Sequence, residues 1–545
     1  TIKNCAIQYR ARGIFLSGGK DYTVQNNNLA HTGQDINNPA IYLNNIRPGA
    51  LAAGIAASGN TFGYTAGSVN ARTALRVSGM DGLLIGDASV SGAHIVIEDG
   101  SGANTLNNSG DTEAAIYLSA VSNITVDNVD VSRTPSGRAG AGIWVENNGS
   151  SLYRNVAIKN CKIQQRHTGI WVNGGKDAVI QNNDLRYSGF YTSRPAIYLN
   201  NLQHGTLPGG ISMSGNLFGG TANGSIAHMG ITITNMSDLV ISDGSLGGTN
   251  ILLEDMSGLN EIVGEDQNSR GCLYLSNVRN VQINSVDMSK STGGQANSFA
   301  LYVENSVNVS ITNNSGANRF RGFYIVGGRD YAITGNNLTS SGQSRDNPAL
   351  HLNAIQPGSI HTASGISAAM NTFGGAGTRT GLRVDNMKNV LIGDASVSGA
   401  HIVIEDASGL NNITQSDGNS NHPAIYLISV SDITVDNVDA SRSSGQDMGG
   451  IWVNNGSANT NVTIKNCNFN NHRRGIYCVG GSDYTIKDNT LLNTGRSSDE
   501  PAIYLQNIQK GNLTGGVSMS GNTFGGANAF CGATFENMRD LSIGD

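Results

Sequence analysis

The chain has 545 residues, of which 72 are glycine, and charged side chains make up only 14%, well under the quarter usual for a soluble domain. A formal net charge of −6 with both signs scattered leaves no electrostatic footprint for nucleic acid or a membrane surface. No apolar run approaches a bilayer-spanning length, so no membrane insertion is expected of this segment.

In chain order, Thr1, Ala157, Ser310 and Thr463 open equivalent segments, which sets long repeats at 1–156, 157–309, 310–462 and, in part, 463–545. Copies one and three are close, because Ile85 to Asp99 reads the same as Ile392 to Asp406. Each long repeat divides into six shorter units. The inward residue before each polar corner gives Ile2, Val24, Ala57, Ile85, Leu106 and Val126 in the first copy, then Ile158, Ile180, Met213, Ile241, Ile262 and Ile283 in the second. The first interval is always 22 residues and the others run from 20 to 35, the mark of varied loops between invariant strands. Both ends fall in mid-repeat, so flanking sequence is expected.

Gly169 to Leu185 shows what one unit contains. Ile170, Trp171 and Val172 alternate, which puts the two aliphatics on one face of a strand and the indole on the other. Gly174, Gly175 and Asp177 make a turn, a second strand surrounds Ile180, and Asn182 and Asn183 suit a bend. Two residues past the inward markers stand Asn4, Asn26, Asp87, Asn108, Asn128, Asn160, Asn182 and Asp243, which predicts an asparagine ladder that satisfies polar groups along the axis. The fold class predicted is all-β: one continuous right-handed parallel β-helix of about 21 rungs with three strands per turn.

Recurring pairs such as GIFLSGGKDYTVQNNNL (Gly13 to Leu29) and GIYCVGGSDYTIKDNTL (Gly475 to Leu491) run through the whole chain. With them the chain resembles the pectate-lyase-like superfamily of parallel β-helix repeats, especially its repetitive surface and carbohydrate-binding versions. The resemblance implies the fold and says little about activity.

The six cysteines show no framework: Cys5, Cys161 and Cys467 share a phase too many rungs apart to pair, and Cys478 falls inward, so buried free thiols are expected over a stray bridge or a metal site. Outward from one strand per unit stand Phe15, Tyr42, Arg76, Val96, Tyr117 and Trp144, then Trp171, Tyr198, Thr232, Leu252, Tyr274 and Tyr302, then Tyr324, His351, Arg383, Val403, Tyr426 and Trp452, and finally Tyr477, Tyr504 and Thr534. The aromatic members are the candidate contact residues: Tyr117, Trp144, Trp171, Tyr198, Tyr274, Tyr302, Tyr324, Tyr426, Trp452, Tyr477 and Tyr504. Three readings fit them: strand-formers covered by inserted loops, a lateral interface with a second copy, or a platform for sugar rings.

No cofactor is called for. Calcium is the one ion with donors in sight, at Asp99, Asp255 and Asp406, whereas Asp21, Asp177, Asp330 and Asp483 after their Gly-Gly turns read as turn-stabilising. No catalytic residues are assigned. Arg133 to Arg138 resembles the R-x-P-x-x-R pattern of pectate lyases, but the stretches near Lys290 and Arg442 depart from it and the companion W-x-D-H motif is absent. His94 and His401 share a phase with Asn250 and read as surface polarity.

Every candidate is diluted through near-copies, whereas an enzyme concentrates its special residues once. The expectation is therefore a non-catalytic structural segment of an extracellular or cell-surface fibre, sheath or adhesin stalk, touching copies of itself laterally or end to end. The alternative is a β-helix that binds or modifies polysaccharide with the aromatic stripe.

Overall fold

The computed structural model describes the chain except residues 64–70, 99–100, 107–112, 134–139, 149–151, 223–224, 255–256, 263–269, 291–295, 360–362, 376, 406–407, 414–421, 443–448, 455–458 and 543–545. Of 221–222, 225–226, 296–297 and 412 it describes the backbone alone. The chain divides into two compact units, Thr1–Val281 and Gln282–Asp545, and each is an all-β parallel solenoid.

In the first unit Thr168–Asn173 lies between Ala141–Glu146 and Ile197–Asn200, all parallel, with Ile143, Ile170 and Ile197 in one column and Val145, Val172 and Leu199 in another. These six side chains are at most 1% exposed. A second sheet stacks Ile124–Asp127, Arg154–Lys159, Lys176–Gln181 and Ile211–Ser214, placing Val126, Ile158, Ile180 and Met213 in one buried column. The second unit repeats the plan: Pro423–Ile428, Gly449–Asn454, Arg474–Val479 and Ile503–Gln506 form one sheet, and Val435, Ile464, Ile486 and Met519 align in the other. Period-2 alternation makes each strand two-faced. Stacking identical columns then buries the aliphatic face rung against rung, at about 25 cal/mol for each Å² removed from water.

The corner between the sheets carries two asparagine columns rather than one. The asparagines two past the inward markers are exposed or half-buried and left-handed, as at Asn26 (φ 55), Asn160 (φ 55) and Asn182 (φ 55). The buried ladder stands one position further on. Asn183 donates from Nδ2 to Ile158 O at 2.9 Å and to Asn216 Oδ1 at 2.9 Å, while its own Oδ1 accepts from the Cys161 N–H at 3.0 Å. Asn314, Asn336 and Asn371 form a three-membered run of the same kind. The predicted ladder position thus bends the chain, and its successor satisfies the interior. Asn108 lies outside the described residues.

A second departure concerns Val96, Leu252 and Val403, which were expected in the outward column of the stripe. Ile95–Val96 instead pairs with Leu84–Gly86 and with Ala57, inserting an extra strand into the second sheet. Ile251–Leu252 and Ile402–Val403 do the same. Only about ten residues separate these strands from the ones before them, too few for a full turn. Arg76 consequently pairs directly with Tyr117, and Arg383 with Tyr426.

None of the six cysteines forms a disulfide: Cys161, Cys272, Cys467 and Cys478 are buried, Cys531 is half-buried and Cys5 is exposed. Burial pushes the Cys161 and Cys467 thiols up to about 12.

Candidate functional site

The outward face of the first sheet brings the predicted aromatics together in each unit. In the first, Tyr117, Trp144, Trp171 and Tyr198 are successive register partners, with ring centroids 5.7, 5.1 and 4.0 Å apart. Tyr274 stands beyond Thr232, one strand removed from that run. In the second, Tyr302, Tyr324 and His351 stack at 4.7 and 4.3 Å, and Tyr426, Trp452, Tyr477 and Tyr504 follow at 6.4, 4.8 and 5.0 Å. A strand spacing of about 4.8 Å imposes these distances. Tyr117, Tyr426, Trp452 and Tyr504 are buried, and Trp144, Trp171, Tyr198, Tyr274, Tyr302, Tyr324 and Tyr477 are half-buried.

Arginines fill the gaps between ring runs. The Arg76 guanidinium lies 4.6 Å from the Tyr42 ring and 5.1 Å from Tyr117, and Arg383 lies 5.2 Å from Tyr426. A cation over an aromatic face is attracted by the ring quadrupole, so the stripe continues through these positions.

The same positions anchor a loop. Four short arms, at 35–38, 191–194, 344–347 and 497–500, each close with an antiparallel bridge. Arg76 donates to Ile36 O at 3.0 Å, Thr232 to Thr192 O at 2.6 Å, Arg383 to Arg345 O at 3.0 Å and Thr534 to Ser498 O at 3.1 Å. All four acceptors stand three residues before the proline of a Pro-Ala pair. Ile36 also packs on the cluster of Ala114, Tyr117 and Ala141, beside Trp144. The residues that interrupt the aromatic stripe are therefore the ones that hold loops over it. Sequence reasoning missed this role, and the recurring Pro-Ala offset was its signal.

Acidic groups at the stripe are engaged. Glu146 accepts from Trp144 Nε1 at 3.2 Å and from Asn173 at 2.6 Å, and Glu536 accepts from the Tyr504 hydroxyl at 2.7 Å. Burial pushes the Tyr302 phenol up to about 12 and also raises Tyr117 and Tyr477. Burial draws His351 down to about 4, against the pull of Asp385 at 2.9 Å from its Nε2, so the ring is neutral at pH 7. Burial works against Asp385 too, but hydrogen bonds from His351 and Arg383 hold its carboxyl below the ordinary range.

The Asp column after the Gly-Gly turns ties down a second set of loops. Asp177 accepts from the Thr206 and Leu207 N–H groups at 2.8 Å each, Asp483 from Asn512 and Leu513, Asp330 from Ser359, and Asp21 from Leu51. Among the described residues no group of three or more His, Cys, Asp or Glu is placed to hold a metal. The calcium candidates Asp99, Asp255 and Asp406 lie outside the described residues, as do 134–138 of the arginine-proline motif. His94 and His401 are more than surface polarity, for their Nδ1 atoms accept the Leu84 and Leu391 N–H groups at 2.9 Å. In the middle copy Asn250 Oδ1 accepts the Val240 N–H at 2.7 Å in the same way.

Within the second unit, the strands that carry Tyr426, Trp452, Tyr477 and Tyr504 fall inside a stretch with a known counterpart. Residues 400–538 match the family described as right handed beta helix region. The parallel stacking seen there is that of a right-handed β-helix, and the first unit repeats the same columns. No curated protein matches the chain. Among solved structures, the A-module of mannuronan C-5 epimerase AlgE4 from Azotobacter vinelandii is 11% identical, covering 96% of this chain and 91% of its own, with a TM-score of 0.17. PfbA, a surface adhesin of Streptococcus pneumoniae, is 10% identical over 83% of this chain and 82% of its own, with a TM-score of 0.14. Endo-xylogalacturonan hydrolase from Aspergillus tubingensis is 12% identical over 85% and 81%, with a TM-score of 0.13.

Proposed function

We propose that the chain is a non-catalytic structural segment of an extracellular or cell-surface fibre, sheath or adhesin stalk, whose partners are further copies of itself. The observation that carries this reading is how the stripe uses its own chemistry. Its rings stack on one another, its arginines lie between rings, and Arg76, Thr232, Arg383 and Thr534 each spend a donor on an arm. Groups that a substrate would need are thus committed to cohesion along the axis. Each rung depends chiefly on its neighbours, which suits a load-carrying element built by repetition.

Imaging native material tests the proposal. Rods joined to one another support it. Isolated monomers with sugar seated along the stripe overturn it in favour of a polysaccharide-binding β-helix. A retention assay on insoluble polysaccharide separates the two again: replacing Trp144 and Trp171 by alanine leaves a structural segment's retention unchanged and reduces that of a sugar platform.

A further inference from the structure

The block Tyr426, Trp452, Tyr477 and Tyr504 is chemically directional. Trp452 is 3% exposed, and its indole Nε1 is buried with no hydrogen-bond partner among the described residues. Its ring lies 4.8 Å from Tyr477, which stacks 5.0 Å from Tyr504 with the planes 8° apart. On the other side Tyr426 is 6.4 Å away and edge-on, and its hydroxyl accepts from Asn454. Among the described residues Tyr504 is the member of the block that donates to a carboxylate, Glu536 Oε2 at 2.7 Å. Glu536 is exposed, so a proton delivered to it exchanges with water.

We propose that Trp452, Tyr477 and Tyr504 form a hole relay, in which an electron vacancy made on the indole is trapped at Tyr504 by transfer of its phenolic proton to Glu536. The co-reactant is a one-electron radical oxidant. It takes an electron from Trp452 and leaves as its anion. An electron from Tyr477 refills the indole, and one from Tyr504 refills Tyr477. As Tyr504 gives up its electron, its O–H bond breaks and the proton joins a Glu536 oxygen. The products are the reduced oxidant, a neutral tyrosyl radical at Tyr504 and a neutral Glu536. The trap lies at Tyr504 because an indole without an acceptor keeps its proton and stays strongly oxidising, whereas a phenol beside a carboxylate sheds charge as it is oxidised. Cys478, next in the chain to Tyr477, does not compete. It points into the core, where burial raises its thiol and keeps it protonated. The relay moves oxidative damage from the buried interior to a residue whose proton reaches solvent through one side chain.

The test is pulse radiolysis of the full chain with azidyl radicals, which oxidise indoles, in the W144F/W171F background that leaves Trp452 as the only tryptophan of three. The expected result is decay of indole-radical absorption matched by growth of tyrosyl absorption, at a rate independent of protein concentration. Tyr504→Phe should abolish the fast tyrosyl signal. Glu536→Gln keeps a hydrogen-bond acceptor but removes the base, and should slow the transfer about ten-fold or more, which corresponds to about 1.4 kcal/mol of barrier. Glu536 is exposed, so this variant folds even if the tyrosine variant does not. Transfer unchanged in Glu536→Gln, or a final radical on Tyr426 or on sulfur, overturns the proposal.

Discussion

Asn183 offers the sharpest test of how a rung is held. It is fully buried, and its amide connects three groups: it donates to Ile158 O and Asn216 Oδ1 and accepts from the Cys161 N–H, all at 2.9 to 3.0 Å. Asn183→Ala strands the Cys161 N–H and leaves Ile158 O without its side-chain donor. Each buried unsatisfied group costs about 1–3 kcal/mol, so a local loss of about 4 kcal/mol is expected. Its neighbour Asn182 is the internal control, because it is exposed and left-handed at φ 55. Asn182→Ala should cost about 1 kcal/mol, the strain of an alanine in that conformation, and Asn182→Gly almost nothing. Repeat proteins unfold in parts, so amide hydrogen exchange at Cys161, read beside urea unfolding, is the appropriate assay. Equal effects at 182 and 183, or a loss below about 1 kcal/mol for Asn183→Ala, would show that the ladder is not what satisfies this corner.

Arg76→Met removes the donor to Ile36 O and the cation between Tyr42 and Tyr117 together, and should cost about 1–2 kcal/mol while raising proteolysis and amide exchange at 35–38. His94→Asn should be nearly neutral, since Asn250 already performs that role, while His94→Ala should cost about 1 kcal/mol. Burial also lowers the His94 pKa, and only the neutral ring accepts the Leu84 N–H. The contribution of this bond is therefore complete above the ordinary imidazole range and lost as pH falls through the lowered folded value, which Leu84 amide exchange measured between about pH 7 and 5 will show. Under native conditions a thiol reagent should label Cys5 rapidly and leave Cys161 and Cys467 untouched until the chain unfolds, because burial holds both thiols near 12; rapid labelling of either would contradict their placement.

Much of the architecture was legible in side-chain alternation. Ile170, Trp171 and Val172 announce a two-faced strand, and the long repeat announces which residues share a column, so Trp144, Trp171 and Tyr198 come together where the spacing placed them. The asparagine columns were harder to tell apart, because a bend breaks the alternation that distinguishes inside from outside. The cue was glycine. The bend position also holds Gly59, Gly215, Gly335 and Gly521, all with φ between 62° and 69°, whereas the next position holds Asn60, Asn216, Asn336 and Asn522. In these rungs the position that glycine takes serves the backbone, and the asparagine beside it serves through its side chain. The displaced strands at Val96, Leu252 and Val403 escaped because inward-outward alternation is the same in either sheet. Only the short connection after Ile85 betrays them.

The arms are where the long repeats stop being copies. Their anchors are interchangeable, arginine in two and threonine in two, since any donor that reaches the same carbonyl will do. Their tips are not. Ile36 is aliphatic and packs beside Trp144, whereas the second arm and its base bring Phe190 and Tyr191 against Arg270, with guanidinium-to-ring distances of 4.8 and 4.9 Å, and stack Phe190 on His167. In the second unit Arg345 lies over Tyr426, and its own N–H donates to His422 Nδ1. The strands beneath keep their columns in every copy because a change there disturbs the rungs above and below, whereas a change at an arm tip disturbs one loop. Differences in what each long repeat contacts therefore belong to the arms, and exchanging 187–194 for 31–38 should transfer such a preference while leaving the stacking of Trp144, Trp171 and Tyr198 intact.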